Sequence, residues 1–276
     1  MKIIMIGHGM VGHKFIESVL EHVGDDVEIT ILAEEPRLAY DRVHLTEYFS
    51  GKSAKDLTLC RADFADAYGI DLRLNTKAVA IDQSHKTVTT NHGDVLSFDK
   101  LILATGSYAF VPPISGNDRE NCFVYRTIED LDAIRAASLN AKSGVVIGGG
   151  LLGLEAAKAL RDLNLETHVV EFAPRLMAVQ IDDLGGKVLR AKIENLGVKV
   201  HTQKATSSIE EGATTKHVMK FGDGSELETD IILFSAGIRP RDELARQSGL
   251  TLGERGGITI NDYCQTSNPD IYAIGE

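Results

Sequence analysis

Cysteine is scarce in this sequence of 276 residues: three occur, and they lie far apart. Cys60, Cys122 and Cys264 form no C-x-x-C pair and no spacing typical of a metal site. An odd number of separated cysteines is typical of a reducing compartment, where disulfides are rare. The sequence therefore predicts a cytoplasmic protein with no bound metal, in which each cysteine is a small buried side chain rather than a reactive thiol.

Basic residues and long apolar runs are also in short supply. The 29 Lys and Arg residues are outnumbered by 40 Asp and Glu residues, and the formal net charge is -11. That balance argues against a nucleic acid or an acidic membrane as a partner. No apolar run approaches the roughly 18 residues of a membrane-spanning helix. Because an apolar strand begins at the second residue, we expect no signal peptide before it.

A glycine-rich turn follows this first strand. Residues 2–6 read KIIMI, residues 7–12 read GHGMVG, and a helical pattern comes next. Strand, G-x-G-x-x-G and helix together form the dinucleotide-binding fingerprint. Gly7 allows the tight turn, Gly9 lets the backbone approach a pyrophosphate, and Gly12 lets the helix pack against the strand. The helix N-terminus then attracts the phosphates. A purely structural glycine loop is the alternative.

The same pattern occurs a second time. A strand at 144–147 leads into GGGLLG at 148–153, and a helix follows. Short antiparallel strands are predicted after each unit, at 70–103 and 198–228. Three landmarks recur at a nearly constant offset, namely Gly7 with Gly148, Pro36 with Pro174, and Gly106 with Gly237. This internal repeat argues against coincidence and predicts at least one dinucleotide site.

Local signals predict further elements. Residues 126–137 read as a helix, with Thr127 as its N-cap and Asp130 where a capping box places Glu. Residues 37–50 are interpreted as a surface helix with scattered charge. A turn is expected at Gly24-Asp25-Asp26, before the second strand.

Acidic residues follow the second strand of the first unit, which spans 27–32. Glu34 or Glu35 is a candidate to accept hydrogen bonds from the ribose hydroxyls of a dinucleotide. Ordinary solvated turn acids are the alternative.

Two dinucleotide sites in one chain predict hydride transfer between two dinucleotides. Such chemistry needs binding and orientation from the protein, while the cofactors supply the reaction. It requires neither a metal nor a protein nucleophile, and the sequence carries no Ser-His-Asp pattern and no metal-spaced histidines. A non-catalytic nucleotide sensor or scaffold is the hypothesis from a different class.

The order of these motifs resembles the pyridine nucleotide-disulfide oxidoreductase superfamily. The resemblance rests on both fingerprints, on Ala104-Thr105-Gly106, and on TSNPDIYAIGE at 266–276. Within the superfamily, YDRVHL at 40–45, ATGSY at 104–108 with Pro112-Pro113, and RTIEDL at 126–131 are most similar to the large subunits of NAD(P)H-dependent nitrite reductases. The resemblance to the superfamily covers essentially the whole chain.

The resemblance implies an α/β fold of two Rossmann-like, glutathione-reductase-type modules of three layers, each with a small antiparallel insertion. The FAD-binding domain would comprise residues 1–115 and 243–276, and the NAD(P)H-binding domain residues 116–242. By position, the residues implied at the FAD site are Gly7, Gly9, Met10, Val11, Gly12, Glu34, Glu35, Arg42, Ala78, Ala104, Thr105, Gly106, Gly275 and Glu276. Those implied at the NAD(P)H site are Gly148, Gly150, Leu151, Leu152, Gly153, Glu155, Glu171, Arg175, Ala236 and Gly237.

Two acids of the second unit have particular roles in this comparison. Glu155 would lie near the nicotinamide as the catalytic residue, and an ordinary acid in the first turn of a helix is the alternative. Glu171 ends the strand after the second fingerprint. A carboxylate there accepts from a ribose 2′-hydroxyl and repels a 2′-phosphate, so the sequence predicts NADH over NADPH. Arg175 would soften that preference by pairing with a phosphate.

Three departures refine the implied function. The segment at 38–51, where disulfide reductases carry redox cysteines, has none. Glu47 stands near the position at which related ferredoxin reductases have a lysine, which puts the choice of partner in doubt. The FAD-binding domain is expected to be truncated at Glu276 and to bind FAD weakly. The iron–sulfur and siroheme portions, with their cysteine clusters, are expected only in a downstream part.

The implied function is electron transfer from NADH through FAD toward a siroheme centre that reduces nitrite to ammonia. The acceptor would be a downstream domain or a small subunit, and self-association is left open. An NADH-dependent rubredoxin or ferredoxin reductase is the alternative of the same class.

Overall fold

The computed structural model describes residues 1–23 and 26–276. The turn predicted at Gly24 and Asp25 therefore lies outside the described residues. The elements follow in chain order: β1 (Lys2–Ile6), α1 (Met10–Val23), β2 (Glu28–Leu32), a 3₁₀ helix (Leu45–Ser50), α2 (Phe64–Ala67), β3 (Asp71–Arg73), β4 (Ala78–Asp82), β5 (Thr87–Thr90), β6 (Val95–Ser97), β7 (Lys100–Leu103), β8 (Ser107–Ala109), β9 (Cys122–Val124), α3 (Ile128–Ser138), β10 (Ser143–Ile147), α4 (Leu151–Asp162), β11 (Glu166–Val170), α5 (Asp183–Asn195), β12 (Val198–His201), β13 (Thr206–Glu211), β14 (His217–Phe221), β15 (Glu226–Thr229), β16 (Ile231–Phe234), β17 (Ile238–Pro240), α6 (Glu243–Gln247) and β18 (Ile271–Ala273).

The first compact unit comprises Met1–Arg42, Ala54–Tyr108 and Arg239–Glu276. Its central sheet is parallel, in the order β18-β7-β1-β2-β3. Strand β1 is buried on both faces, which explains its unbroken apolar sequence. Ile3 and Met5 belong to the apolar cluster that contains Ile16 of α1. Ile4 belongs to a second cluster that contains Val88 of the antiparallel sheet β4-β5-β6. Helices, parallel sheet and antiparallel sheet thus form three layers.

The second compact unit comprises Val43–Ser53 and Ala109–Ile238. Its parallel sheet has the order β12-β11-β10-β16-β9. Val145 and Phe234 of this sheet share an apolar cluster with Met219 of the antiparallel sheet β13-β14-β15. The two units therefore have the same architecture, and the predicted α/β fold of two three-layer modules is confirmed.

The units differ in the origin of one edge strand. In the first sheet the strand beside β7 is β18, from the end of the chain, whereas in the second the strand beside β16 is β9, which precedes β10. The chain passes from one unit to the other near residues 108 and 238. The cofactor-binding domains, with predicted boundaries at 115 and 242, stay a prediction.

The predicted N-cap of α3, Thr127, is confirmed, and the helix runs from Ile128 to Ser138 rather than over 126–137. The Thr127 hydroxyl accepts a hydrogen bond from the Asp130 N–H at 3.2 Å, and the Asp130 carboxylate accepts one from the Thr127 N–H at 2.8 Å. The shorter Asp therefore performs the role that Glu has in a capping box.

The predicted surface helix over 37–50 is wrong for its first half. Tyr40 makes an isolated β-bridge to Thr58, and helical structure begins at Leu45 as a 3₁₀ helix. Residues 43–53 belong to the second unit, and Tyr48 is buried there. Scattered charge did not reveal that this segment buries an aromatic side chain.

Among the helices of the described residues, none combines the length and the apolar character needed to cross a bilayer.

Candidate functional site

The first turn, residues 7–12, is held by close backbone contacts, both within the turn and with Leu32 and Ala104. The Gly7 N–H donates to Leu32 O at 2.9 Å, and Gly7 has a φ of 101°. A Cβ on Gly7 would lie 2.2 Å from Ala104 O, and one on Gly12 would lie 2.8 Å from Gly7 O. A Cβ on Gly9 would meet nothing within 4 Å. Two glycines are thus required by packing, and the middle one borders open space.

The second turn, residues 148–153, repeats this arrangement. Gly148 has a φ of 121°, and its Cβ would lie 2.2 Å from Ser235 O. A Cβ on Gly153 would lie 2.0 Å from Gly148 O, whereas one on Gly150 would meet nothing within 4 Å. Gly150 is the N-cap of α4 and has no side chain, so no cap at this position competes with a ligand for the first N–H groups of the helix.

These two cradles fit a dinucleotide pyrophosphate. A phosphate needs close backbone approach and free N–H groups at a helix N-terminus, and the open side of Gly9 and Gly150 provides the approach. Side chains at the start of both helices lie outside the core: Val11, Leu151 and Leu152 are exposed, and Met10 is half-buried.

Several predicted residues surround the first turn. The Ala104 N–H donates to Ile6 O at 2.8 Å, and the Thr105 hydroxyl donates to Arg241 O at 2.9 Å. A Cβ on Gly106 would lie 3.7 Å from the backbone oxygen of Glu276, and one on Gly275 would lie 3.5 Å from Val11. The fold thus gathers segments that are far apart in sequence at the end of β1. Ala78, in contrast, is buried in the apolar cluster of β4.

The acids after β2 are engaged in ion pairs. Glu34 pairs with Lys77 at 3.0 Å and with Arg241 at 2.5 Å. Burial raises the pKa of Glu34, but the two cations outweigh it and leave the pKa below its usual value. Glu35 pairs with Arg42 and accepts from the Tyr40 hydroxyl at 2.7 Å.

Neither of these acids occupies the position of Glu171. The N–H of Ala33 donates to Arg73 O at 2.9 Å, and the N–H of Glu171 donates to His201 O at 2.8 Å. Ala33 is therefore the counterpart of Glu171, and Glu34 lies one residue further along. The ribose-binding role of Glu34 or Glu35 stays a prediction.

Glu171 supports the second turn with both carboxylate oxygens. They accept from the Gly149 N–H at 2.6 Å and from the Ala173 N–H at 2.7 Å. Each oxygen retains a lone pair for a further donor. Arg175 is bound within its own loop, to Asp183 at 2.6 Å and to the carbonyl of Ile181 at 3.1 Å.

Glu155 lies half-buried in the second turn of α4. The alternative of a first-turn acid is therefore wrong, because the helix begins at Leu151. Burial raises the pKa of Glu155 above its usual value, and the charge of His44 partly opposes this.

The last two predicted residues, Ala236 and Gly237, flank the second turn. A Cβ on Gly148 would lie 3.2 Å from Ala236 N, and Gly237 O accepts from the Phe110 N–H at 2.8 Å.

Sequence reasoning missed His8 and Ser235. Ser235 closes the second turn as Ala104 closes the first, and its position before the matched Gly237 was the available signal. His8 is only 8% exposed, and no sequence pattern distinguished it from the variable positions of the fingerprint.

The three cysteines are free. Burial raises the pKa of Cys60 and raises that of Cys122 to about 11, so both are thiols at neutral pH. Within residues 1–23 and 26–276, no group of three or more His, Cys, Asp or Glu side chains is arranged to hold a metal ion.

Known proteins are similar to this chain over its whole length. The profile of the pyridine nucleotide-disulphide oxidoreductase family matches residues 1–276. The NADH nitrite reductase large subunit of Escherichia coli is 55% identical over 100% of this chain and 33% of its own length. The assimilatory nitrate reductase electron transfer subunit of Bacillus subtilis is 38% identical over 100% of this chain and 35% of its own length. This chain thus spans about a third of the length of these relatives.

A solved structure gives the same picture of the fold. The NAD-dependent persulfide reductase of A. fulgidus superposes with a TM-score of 0.93 at 30% identity, over 99% of this chain and 52% of that protein. Because the family profile extends over both glycine-rich turns and over all the segments that surround them, the chain belongs to the pyridine nucleotide-disulphide oxidoreductase family.

Proposed function

We propose that the chain binds FAD at the first turn and NADH at the second, and that it is the electron-transfer part of an NADH nitrite reductase. The observation that carries this proposal is the 55% identity to the nitrite reductase large subunit over the whole of this chain. When bound, NADH supplies a hydride and FAD accepts two electrons and can release them singly. The protein supplies binding and orientation.

The residues of the first turn hold one pyrophosphate. Gly9 leaves the backbone approachable, and the N-terminus of α1 provides N–H groups and a partial positive charge. Ala104 to Gly106 and Gly275 line the same end of the sheet and would border the rest of the cofactor.

At the second turn, Glu171 selects the nucleotide. Its carboxylate already accepts two backbone N–H groups, which hold it at the end of β11. A 2′-hydroxyl would donate to it, whereas a 2′-phosphate would be repelled. Because Arg175 is engaged with Asp183, a phosphate would have to compete for that cation.

Glu155 is proposed to lie beside the nicotinamide. Its half-buried position and raised pKa suit a carboxyl group that holds a proton or orients a neighbouring amide. The thiols of Cys60 and Cys122 take no part, since burial keeps them protonated.

A separate acceptor protein is the second candidate. The B. subtilis relative is called an electron transfer subunit, so electrons from this chain would pass to another polypeptide. A rubredoxin or ferredoxin reductase is a further form of this alternative. The siroheme and iron–sulfur acceptor, a cytoplasmic location and self-association stay predictions.

The test is a chimera in which this chain replaces the matching segment of the E. coli nitrite reductase large subunit. We expect NADH to bleach the flavin absorbance and nitrite to be consumed. Gly150→Ala in the same chimera should raise the NADH concentration needed for bleaching at least about tenfold and leave bleaching by dithionite intact. Bleaching without nitrite consumption would favour the separate acceptor, and no bleaching in the unsubstituted chimera would refute the hydride route.

A further inference from the structure

His8 is a buried imidazole inside the first turn. It stands between Gly7 and Gly9, and its exposed fraction is 8%. Neither ring nitrogen has a hydrogen-bond partner among the residues that the structure describes. The ring of His13 packs edge-on against it, with centroids 5.6 Å apart. A buried polar group without a partner is costly, so a partner is expected in the functional state.

The second turn shows where a side chain at this position points. Gly149 is the counterpart of His8. A Cβ built on Gly149 would lie 3.1 Å from the Cβ of Glu171, 3.0 Å from its Oε2 and 2.6 Å from Leu176. The direction is therefore toward the acid at the end of the second strand.

The two turns fill the space between the turn and the end of the second strand in opposite ways. In the second turn the residue inside the turn is small, Gly149, and the residue at the strand end is large, Glu171. In the first turn the residue inside the turn is His8, and the strand end carries Ala33, the structural counterpart of Glu171. By this correspondence, the side chain of His8 is directed toward Ala33, a smaller residue that leaves room which Glu171 fills in the second unit.

We propose that His8 takes the place of the strand-end carboxylate at the first turn and hydrogen-bonds the ribose hydroxyls in the adenosine half of the bound FAD. This inference rests on the proposed function, in which the first turn binds FAD. The acids Glu34 and Glu35, by comparison, are held by Lys77 and Arg42.

The chemistry of the imidazole matches this role. Burial, with a smaller contribution from the charge of His13, lowers the pKa of His8 to about 4. At pH 7 the ring is therefore neutral, with one N–H donor and one lone pair. A ribose diol both donates and accepts, so it can satisfy both nitrogens. A carboxylate such as Glu171 can only accept.

The experiment measures FAD affinity and stability in the same variants. Flavin fluorescence quenching gives the FAD Kd, and thermal unfolding without FAD gives the Tm. For His8→Leu we expect an FAD Kd that is about 3- to 10-fold weaker, the loss of roughly one hydrogen bond. The Tm without FAD should not fall, because the substitution removes an unpaired polar group. His8→Gln, which keeps a donor and an acceptor, should recover most of the affinity.

The matched control is His85→Leu, at an exposed imidazole paired with Asp82, which should leave the FAD Kd unchanged. A second probe is FAD with 2′-deoxyadenosine: the unsubstituted chain should discriminate against it, and His8→Leu should not. Equal discrimination in both chains would overturn the role of His8, as would a lower Tm with an unchanged Kd. If the unsubstituted chain binds no FAD, the proposed function itself fails. If it binds FAD but His8→Leu changes neither the Kd nor the discrimination, only the inference about His8 fails.

Discussion

At the two turns, some glycines are required by packing within the protein, whereas others leave room for a ligand. A Cβ on Gly148 would meet the backbone of Ser235 and one on Gly153 the backbone of Gly148, whereas Gly150 faces open space. A methyl group at the former positions would collide with the protein. At the latter it would collide only with a ligand. The same distinction holds for Gly12 and Gly9 in the first turn.

Substitution of Gly153 should unfold the turn, and substitution of Gly150 should only block it. For Gly153→Ala we expect a loss of about 3 kcal/mol in unfolding free energy, because the Cβ would overlap Gly148 O. For Gly150→Ala we expect a loss of at most about 1 kcal/mol from the weaker N-cap, with NADH binding at least about tenfold weaker. Chemical denaturation and NADH titration measure the two effects. Equal stability losses would contradict this assignment.

Glu171 should determine nucleotide preference. We expect Glu171→Ala to weaken NADH binding roughly tenfold, as expected for loss of a hydrogen bond to a charged group, while NADPH binding is unchanged or tighter. Glu171→Gln keeps the acceptor oxygen but not the charge, and should lose discrimination with a smaller loss of NADH affinity. Titration with both nucleotides provides the measurement. A preference of the unsubstituted chain for NADPH would show that the carboxylate does not act in this way.

Glu155 should make stability depend on pH in a definite direction. Burial raises its pKa in the folded state, so the folded chain binds more protons than the unfolded chain above about pH 4.3, the ordinary value. The contribution of Glu155 to stability is therefore lost as the pH rises from the ordinary pKa of the unfolded chain through the raised pKa of the folded chain. We expect Glu155→Gln to gain stability relative to the unsubstituted chain between pH 4 and pH 7.

The control for this pH dependence is Glu120, an exposed acid whose pKa is lowered by a hydrogen bond from Lys216. Glu120→Gln should lose stability over the same range, because that acid is stabilised when charged. Tm measurements at several pH values distinguish the two. Parallel trends for both variants would be inconsistent with the opposite pKa shifts.

At the scale of elements, the 3₁₀ helix Leu45–Ser50 shows that sequence order does not decide membership of a unit. The segment packs on α3 of the second unit: the Tyr48 hydroxyl donates to Asp132, and the Arg135 guanidinium lies 4.1 Å from the centre of the Tyr48 ring. Tyr125 donates to the Thr46 hydroxyl at 3.2 Å. Tyr48 is thus the buried aromatic anchor of the segment, and Thr46 adds a hydrogen bond of its own.

Removal of this anchor should release the segment. For Tyr48→Ala we expect a loss of about 3 kcal/mol, the usual result of deleting a buried aromatic side chain, and faster tryptic cleavage after Lys52. Tyr263→Ala, at a residue 80% exposed, is the control and should change neither quantity. Limited proteolysis followed by mass spectrometry identifies the cleavage site. Unchanged cleavage at Lys52 would mean that Tyr48 does not hold the segment.

At the scale of the molecule, the two units should respond to different ligands. Each unit has its own sheet, apolar cluster and glycine-rich turn. A ligand at 100 times its Kd adds about 2.7 kcal/mol to the stability of the state that binds it. We expect FAD to slow amide hydrogen exchange most in residues 2–12, and NADH to slow it most in residues 143–153. At the same NADH concentration, Gly150→Ala should weaken the second effect only. An NADH effect confined to residues 2–12 would refute the assignment of the turns.

Much of the fold and part of the site could be predicted, because repeats and short-range geometry are written in local sequence. The strand Lys2–Ile6 and the cap at Thr127 were predicted with their observed bounds or partners. The surface helix at 37–50 was not, since the force that places this segment is burial of Tyr48 against a helix 80 residues later in the chain. Composition and periodicity carry no information about such a contact.

The sequence by itself determined two repeated strand–turn–helix units, because glycine spacing and apolar periodicity act over a few residues. Only the tertiary structure decided which atoms those glycines face, and that Ala33 rather than Glu34 is the counterpart of Glu171. It also decided that the His8 ring is buried, with the ring of His13 packed edge-on against it. Those facts depend on hydrogen bonds between parallel strands, and the partners of such strands are separated by a whole crossover in the chain.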